Sequence, residues 1–161
     1  MFDRETVDLA TAILSACRAK GWRIATAESC TGGLVAAALT AIAGSSDVVD
    51  RAFVTYSNKA KMDMVGVPEA TLAAVGAVSA EVALAMAAGA VSRARVDLAV
   101  SATGIAGPGG RTAEKPVGLV YLGLATRDSC RSERHVFRGD RDAVRRAAMI
   151  RALEMLRDAA V

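Results

Sequence analysis

The stretch Thr26-Ala27-Glu28-Ser29-Cys30-Thr31-Gly32-Gly33 decides how this chain folds. Residues 22–26 at its start are partly apolar and predict a strand, and the apolar residues 34–39 after it predict a buried helix. The stretch is therefore a strand-to-helix turn crowded with hydroxyl groups. Its two glycines allow backbone angles that other residues avoid, and they let another group approach the backbone closely.

This turn has two interpretations. Ser29, Cys30 and Thr31 are candidate nucleophiles beside helix N–H groups that favour an anion or an oxyanion. Alternatively, Ser29 or Thr31 caps the helix, which is the commoner role for these residue types. The stretch matches neither a phosphate-binding loop nor a Gly-x-Ser-x-Gly elbow. Catalysis here therefore needs partners from elsewhere in the chain.

The composition indicates one domain with a core of small side chains. The chain has 161 residues, of which 53% are hydrophobic and only 4% aromatic, so Ala, Val, Leu, Ile and Met must fill the core. A net charge of +3 suits a phosphorylated ligand but is too diffuse to indicate nucleic-acid binding. No apolar run reaches about 18 residues, so no membrane span is predicted.

Cysteine and histidine usage favours a reducing compartment and a protein without a zinc site. Cys17, Cys30 and Cys130 are odd in number and scattered, which disfavours a disulfide framework. Residues 1–5 mix acidic and basic side chains, so they do not predict a signal peptide. The single histidine, His135, is interpreted as structural.

The pattern of apolar residues predicts an α/β fold. The predicted helices are 4–20, the helix after Gly33 to about residue 42, 57–66, a short helix that Pro68 opens at its first position, 79–93, and 141–159 capped by Asp140; the predicted strands are 22–27, 51–56, 97–103, 117–125 and 131–137. The last strand mixes charged and apolar residues, which is typical of an antiparallel edge. The order predicts a single three-layer α/β/α domain over residues 1–161, with a mixed sheet and helices on both faces.

Polar candidates follow the ends of two strands. Ser29 follows the first strand, Tyr56 ends the second, and Lys61 lies on the next helix. Ligand sites of doubly wound folds gather at such strand ends, so these side chains are predicted to meet. The competing interpretation is a half-buried tyrosine and a solvated helix face carrying Lys59 and Lys61.

Two further segments have both a functional and an ordinary interpretation. The Gly-rich loop 104–116 either covers a ligand or is a flexible surface excursion. The arginine-rich segment 138–146 either aims an arginine at a phosphate or is a solvated helix face with i,i+4 ion pairs.

Together these residues suggest amide or ester chemistry. Ser29 would attack a carbonyl carbon, and Lys61 would accept its proton if a dry site lowered the lysine pKa. Tyr56 would orient the lysine or shuttle the proton, and N–H groups at the start of the following helix would stabilise the oxyanion. From the residues alone this is one arrangement among several.

Six motifs resemble the CinA C-terminal domain family, whose stand-alone members are nicotinamide-mononucleotide deamidases, also called PncC. They lie at 26–33, 44–46, 53–58, 76–79, 103–108 with 114–118, and 137–141, in order from about residue 5 to the end. Larger family members carry an additional N-terminal domain, linked to ADP-ribose pyrophosphatase activity, and the resemblance of this chain is expected to be to the stand-alone form. The resemblance implies hydrolysis of the amide of nicotinamide mononucleotide to nicotinic acid mononucleotide and ammonia, in pyridine-nucleotide salvage in the bacterial cytoplasm.

The resemblance also implies site residues. The family's catalytic Ser, Tyr and Lys fall on Ser29, Tyr56 and Lys61, with Lys59 as a competing lysine of the wrong spacing. The implied substrate contacts are Thr31, Gly32, Gly33, Thr103, Gly104, Arg138 and Arg141. No metal or other cofactor is implied.

The alternative function is a non-catalytic module that binds a nucleotide or a protein, linked to competence or DNA damage, because a fold can persist after its chemistry is lost. Direct binding of DNA would need a basic stripe with interleaved aromatic residues, which is missing. The expected partner is a small nucleotide substrate, with no nucleic acid and no membrane. An Ala-rich chain with apolar helices also suits a homo-oligomer, and we expect a dimer.

Overall fold

A computed structural model describes all residues, Met1–Val161, and its elements follow the predicted order. The helices are α1 (Arg4–Lys20), α2 (Leu34–Thr40), α3 (Asn58–Val65), α4 (Glu69–Val75), α5 (Ala80–Ala94) and α6 (Arg141–Ala160), and the strands are β1 (Ile24–Glu28), β2 (Val49–Val54), β3 (Leu98–Gly104), β4 (Leu119–Thr126) and β5 (Cys130–Val136). A short 3-10 turn, Ser45–Asp47, lies between α2 and β2. The second strand ends two residues earlier than predicted, so Thr55 and Tyr56 lie beyond it.

The five strands form the predicted mixed sheet, and their order in it is β2-β1-β3-β4-β5. β1 is parallel to β2 and β3, whereas β4 and β5 run antiparallel and β5 is an edge. Glu28 pairs with Val54 on one side and with Ala102 on the other, so the carboxyl ends of the parallel strands lie at one level. The chain leaves β1 toward one edge and β3 toward the other, and a ligand crevice forms where such connections diverge.

Helices cover both faces of the sheet, and the two faces differ in side-chain size. On one face α1, α2 and α6 pack against large strand residues such as Leu98 and Leu122. On the other face α3 and α5 pack against small ones such as Ala27 and Ala99. Burying both apolar faces supplies the main stabilising free energy of the fold.

The small-residue face lets α5 approach its neighbours very closely. A Cβ added at Gly123 would lie 2.3 Å from the carbonyl oxygen of Ala83, and one added at Gly89 would lie 1.8 Å from that of Val65. Neither glycine therefore has room for a side chain. Because Val65 ends α3, this packing fixes α3 close to the ends of the strands.

Four helices are capped by the side chain of their own N-cap residue. Asp3, Ser57, Ser79 and Asp140 each accept a hydrogen bond from the N–H group three residues later, which satisfies a donor that the helix leaves free. Pro68 precedes α4 as its N-cap and is not its first helical residue, because its ψ of 135° is extended.

The β5 edge carries an ionic cluster that includes the single histidine. His135 Nε2 lies 2.9 Å from Glu133 Oε2, and its ring stacks on Phe137. Hydrogen bonds from Arg151, then from His135 and Arg131, lower the pKa of Glu133 to about 2. These contacts agree with the structural role predicted for His135.

All three cysteines are free thiols, and they differ in exposure. Cys17 and Cys30 are buried, and Cys130 is exposed at the start of β5. No group of three or more His, Cys, Asp or Glu side chains is arranged to hold a metal ion. None of the helices has the length and apolar character needed to cross a bilayer.

Candidate active site

A cavity of about 260 Å³ opens at the carboxyl ends of the parallel strands. Its lining includes six of the residues predicted for the site: Ser29, Tyr56, Lys61, Thr103, Gly104 and Arg141. They come from three strand ends and from helices α3 and α6, so the fold assembles them. A larger hollow of about 410 Å³ beneath the N-terminus contains neither Ser29 nor Lys61.

Ser29 and Lys61 meet in this cavity as predicted. Ser29 is the first residue after β1, Lys61 lies in the first turn of α3, and Lys61 Nζ is 3.1 Å from Ser29 Oγ. The same nitrogen is 2.8 Å from the carbonyl oxygen of Thr55, just beyond β2. The amine is therefore held between the ends of two strands.

The environment of Lys61 favours the neutral amine. Its side chain is only 1% exposed, and this burial lowers its pKa below the ordinary 10.5, although the nearby Cys30 opposes the shift. Both hydrogen-bond partners are uncharged oxygens, so neither compensates a buried positive charge. A neutral amine has a lone pair that can accept the Ser29 proton while an N–H donates to Thr55.

The competing lysine, Lys59, is exposed and pairs with Asp63 on the surface of α3. A solvated helix face is therefore the right interpretation for Lys59 and the wrong one for Lys61. Two residues along one helix separate a surface ion pair from a buried amine.

A buried carboxylate caps the helix that follows Ser29. Glu28 is fully buried, and its Oε2 accepts hydrogen bonds from the N–H groups of Gly33 and Val35 at 3.0 and 3.1 Å. Its Oε1 accepts from the N–H of Ala36 at 2.9 Å. The N-cap residue of α2, Gly33, has no side chain with which to do this.

This arrangement corrects two expectations. Neither Ser29 nor Thr31 caps α2, because the Glu28 carboxylate does so. The N–H groups at the start of α2 are not free for an oxyanion, because the same carboxylate already accepts hydrogen bonds from them. The Ser29 hydroxyl is consequently left for Lys61.

The other two candidate nucleophiles lack a base. Burial raises the pKa of the Cys30 thiol to about 11, so it is protonated near neutral pH and is a weak nucleophile. Thr31 is fully buried, and its hydroxyl has no hydrogen-bond partner. Of the three, only Ser29 contacts Lys61.

Tyr56 lies at the rim of the cavity and bonds to an arginine. It is 60% exposed, and its hydroxyl accepts a hydrogen bond from Arg141 Nη2 at 3.0 Å. Arg141 Nη1 donates to the carbonyl oxygen of Gly107 at 2.9 Å, so this side chain ties the tyrosine to the Gly-rich loop. The expected orienting contact from Tyr56 to Lys61 is absent, and the carbonyl of Thr55 holds the amine in its place.

Thr103 and Gly104 shape the cavity wall. The Thr103 hydroxyl donates to the carbonyl oxygen of Ala77 at 2.7 Å, which holds the cavity-lining residues 77–78 in place. A Cβ at Gly104 would lie 2.7 Å from the carbonyl oxygen of Leu119, so no side chain fits there.

Four residues expected to contact substrate do not line the cavity: Thr31, Gly32, Gly33 and Arg138. The two glycines have φ values of 61° and 99°, which other residues rarely adopt, so they serve the turn itself. Arg138 is exposed. Contact of these four residues with substrate stays a prediction.

The Gly-rich loop is held at its base and near its C-terminal end. The N–H of Gly118 donates to the carbonyl oxygen of Ile105, and Lys115 Nζ donates to that of Val75 at the end of α4. Ala106 lines the cavity. These contacts favour the interpretation of a site-covering loop over that of a free surface excursion.

Sequence reasoning missed three groups that organise the site: the carboxylate of Glu28, the carbonyl of Thr55 and the guanidinium of Arg145. Glu28 had a signal, because it is an acidic residue at the end of a buried strand. Arg145 lies in the arginine-rich segment, but its contacts with the carbonyls of Cys30 and Thr31 had no local signal.

Known proteins resemble this chain over nearly its whole length. A family model described as the CinA C-terminal domain matches residues 6–160. The chain is 53% identical over 157 residues to the nicotinamide-nucleotide amidohydrolase PncC of Escherichia coli (strain K12), covering 97% of this chain and 95% of that protein. It is 56% identical over 139 residues to a CinA-like protein of Syntrophobacter fumaroxidans, covering 86% of this chain but 33% of that one. The chain thus spans about a third of the length of the longer CinA-like relatives.

A solved structure gives the same assignment. The competence/damage inducible protein CihA from Agrobacterium tumefaciens superimposes with a TM-score of 0.96 at 50% identity, covering 99% of this chain and 98% of that one. A family model over nearly the whole chain and a near-identical fold lead to one conclusion: the chain belongs to the CinA C-terminal domain family.

Proposed function

We propose that this chain is an amidohydrolase that cleaves the amide of nicotinamide mononucleotide, a linear carboxamide, and releases nicotinic acid mononucleotide and ammonia. The observation that carries the proposal is the buried Lys61 amine 3.1 Å from Ser29 Oγ at a strand end. The 53% identity to a nicotinamide-nucleotide amidohydrolase over nearly the full length of both proteins supports this substrate.

In the first half-reaction Ser29 is the nucleophile and Lys61 is the general base. The neutral amine accepts the hydroxyl proton as Ser29 Oγ bonds to the amide carbon. Lys61 then gives this proton to the amide nitrogen, the carbon–nitrogen bond breaks, and ammonia leaves. The pyridine carboxyl group is left as an ester on Ser29.

In the second half-reaction Lys61 acts on water. It accepts a proton from a water molecule whose oxygen bonds to the ester carbon, and it returns a proton to Ser29 Oγ as the ester bond breaks. The hydrogen bond to Thr55 keeps the amine in place through both half-reactions. The immediate product is a carboxylic acid, which releases its proton to water and leaves as the carboxylate of nicotinic acid mononucleotide.

Arg141 is proposed to contact the substrate phosphate. Its guanidinium lies at the cavity rim with donors beyond the two that bond Tyr56 and Gly107. Tyr56 would then form one wall for the nucleotide. We further propose that the protein works in pyridine-nucleotide salvage in the cytoplasm, and that it forms a homo-oligomer, which light scattering after size exclusion would test.

The decisive experiment measures ammonia release from nicotinamide mononucleotide in the presence of a chelator. Wild type should be active, and Ser29→Ala and Lys61→Ala should each lose about a thousandfold or more in kcat. Lys59→Ala is the matched control on the same helix and should keep wild-type activity. Thermal unfolding of each variant establishes that the fold is intact.

Other outcomes would assign a different role. A folded wild type that binds the nucleotide and releases no ammonia would contradict the amidohydrolase and favour the nucleotide-binding module. An active Ser29→Ala would keep the reaction and remove this nucleophile from it.

A further inference from the structure

The serine turn, residues 29–33, leaves two backbone donors without an oxygen acceptor. The N–H of Ser29 donates to the carbonyl oxygen of Ala102 at 2.8 Å, and that of Gly32 donates to the carbonyl oxygen of Ser29 at 3.0 Å. Between them, the N–H groups of Cys30 and Thr31 donate to no oxygen of the protein, and the only group that accepts from them is the weakly accepting sulfur of Cys30 itself. Buried N–H groups almost always have a partner, so two adjacent exceptions next to a nucleophile need an explanation.

These two N–H groups flank Cys30, the residue of the turn that follows Ser29 in the cavity wall. Cys30 lines the cavity, and both N–H groups lie close enough to its sulfur to act on the pKa of that thiol. The N–H groups of α2 itself are not available, because Glu28 accepts from them. The free donors therefore belong to the turn and not to the helix.

Arg145 holds the other side of the same turn. From α6, its Nε donates to the carbonyl oxygen of Cys30 at 3.2 Å, and its Nη2 donates to that of Thr31 at 3.1 Å. Gly32 lies between these contacts and the start of α2, and its φ of 61° favours glycine at this point of the turn.

We infer that the N–H groups of Cys30 and Thr31 bind the oxyanion of the tetrahedral intermediate, and that Arg145 is a positioning residue for this site. The inference rests on the proposed function, because only an attack by Ser29 would generate this oxyanion. Two preorganised N–H donors beside the nucleophile are the usual way in which proteins stabilise such a charge.

The planar peptide explains how Arg145 acts. The carbonyl of Cys30 and the N–H of Thr31 belong to one peptide group, in which a trans geometry makes them point in opposite directions. A guanidinium on the oxygen therefore turns the N–H away from Arg145. It also polarises the peptide, which makes the N–H a stronger donor.

The most direct test removes one N–H. The α-hydroxy analogue of threonine, incorporated at position 31, replaces the N–H of Thr31 with an ester oxygen and keeps the side chain. Since this donor has no oxygen acceptor in the folded protein, the unfolding free energy should change little, mainly through a weaker hydrogen bond from Arg145 Nε to the ester carbonyl of residue 30. We expect kcat for nicotinamide mononucleotide to fall by about 100- to 1,000-fold, with KM within about threefold of wild type. An unchanged kcat would contradict the inference.

The second test addresses Arg145. Arg145→Met should lower kcat by about 10- to 100-fold with little change in KM, because a small misplacement of the donors weakens only the transition state. Arg145→Lys should recover part of kcat, since it keeps the charge. The matched control is Arg146→Met on the next residue, whose guanidinium pairs with Asp3 and Glu5, and its kcat should stay within about twofold of wild type.

The pattern of results separates this inference from the proposed function. A higher KM with unchanged kcat in Arg145→Met would mean that the arginine binds substrate, which overturns the positioning role. A folded wild type that releases no ammonia would overturn the proposed function and this inference with it. An active wild type with fully active variants would overturn the inference alone.

Discussion

The turns that lead into α2 and α3 both reach the cavity, and each contains a serine, yet they use that serine differently. At α3, Ser57 Oγ accepts a hydrogen bond from the N–H of Ala60 at 3.0 Å and serves as an ordinary cap. At α2, Glu28 takes over capping, and Ser29 Oγ contacts Lys61 instead.

The difference shows how a reactive serine can sit at a helix start. An N-cap hydroxyl accepts a backbone hydrogen bond, which occupies its oxygen and fixes its rotamer. A carboxylate that reaches the helix N–H groups from the preceding strand relieves the serine of that role. Four donors surround Glu28, including the Thr26 hydroxyl at 3.0 Å, which suits a group that only accepts.

Among the changes that test this difference between the two serines, a change of pH is expected to have the largest effect on kcat/KM. If Ser29 is free to give its proton to neutral Lys61, kcat/KM rises about tenfold per pH unit below the pKa of Lys61 and levels off above it. Because burial lowers that pKa, the midpoint should lie below 10.5. A pH profile of ammonia release measures it, and a midpoint at or above 10.5 would contradict the neutral base. Lys61→Arg, which stays protonated, should be inactive throughout.

The next largest effect is expected for Glu28→Gln. The amide presents an N–H₂ group to backbone donors and loses charge-assisted hydrogen bonds, so the free energy of unfolding should fall by about 2–4 kcal/mol. We expect kcat to fall about 100-fold as the serine turn loosens. Urea unfolding and steady-state kinetics measure the two effects. The control Glu81→Gln, in the exposed first turn of α5, should change stability by less than about 0.5 kcal/mol.

A smaller effect is expected for Thr26→Val, which keeps the shape of the buried side chain. It removes the hydroxyl that donates to Glu28 Oε1, so the unfolding free energy should fall by about 1–2 kcal/mol. The three backbone contacts of Glu28 persist, and kcat should fall by only about threefold. Thr11→Val on the exposed face of α1 is the matched control. A loss of kcat as large as that of Glu28→Gln would mean that Thr26 has a role beyond the carboxylate.

The smallest effect is expected for Ser57→Ala. Loss of the cap should lower the unfolding free energy by about 1 kcal/mol, and Ser57→Asp should restore it. Lys61 is held by Thr55, so kcat should stay within about twofold of wild type. A kcat as low as that of Ser29→Ala would show that the two helix starts do not differ in function.

The fold could be predicted because each element carries its own local signal. The apolar run 97–103, the alternation of strands with helices, and the cap Asp140 all predict the observed elements. The meeting of Ser29 with Lys61 was also predictable, because the carboxyl ends of parallel strands lie at one edge of a sheet.

The organisation of the serine turn could not be predicted, because its contacts are not local. A conventional cap bonds the N–H two or three residues later, whereas Glu28 bonds those five, seven and eight residues later. The carbonyl of Thr55 belongs to the backbone, so no residue type in the sequence indicates its role. Arg145 bonds the turn from 115 residues away, and only the packing of α6 brings it there.

The exposure of the three cysteines gives this protein a natural attachment point. Cys130 is the one exposed thiol, since Cys17 and Cys30 are buried. It pairs with Ala125 near the end of β4, and the neighbouring Thr126 pairs with Leu98 at the start of β3, so Cys130 lies at the sheet end opposite the cavity. A maleimide-coated surface should therefore capture the unmodified wild-type chain in a single orientation, with the cavity facing the solution.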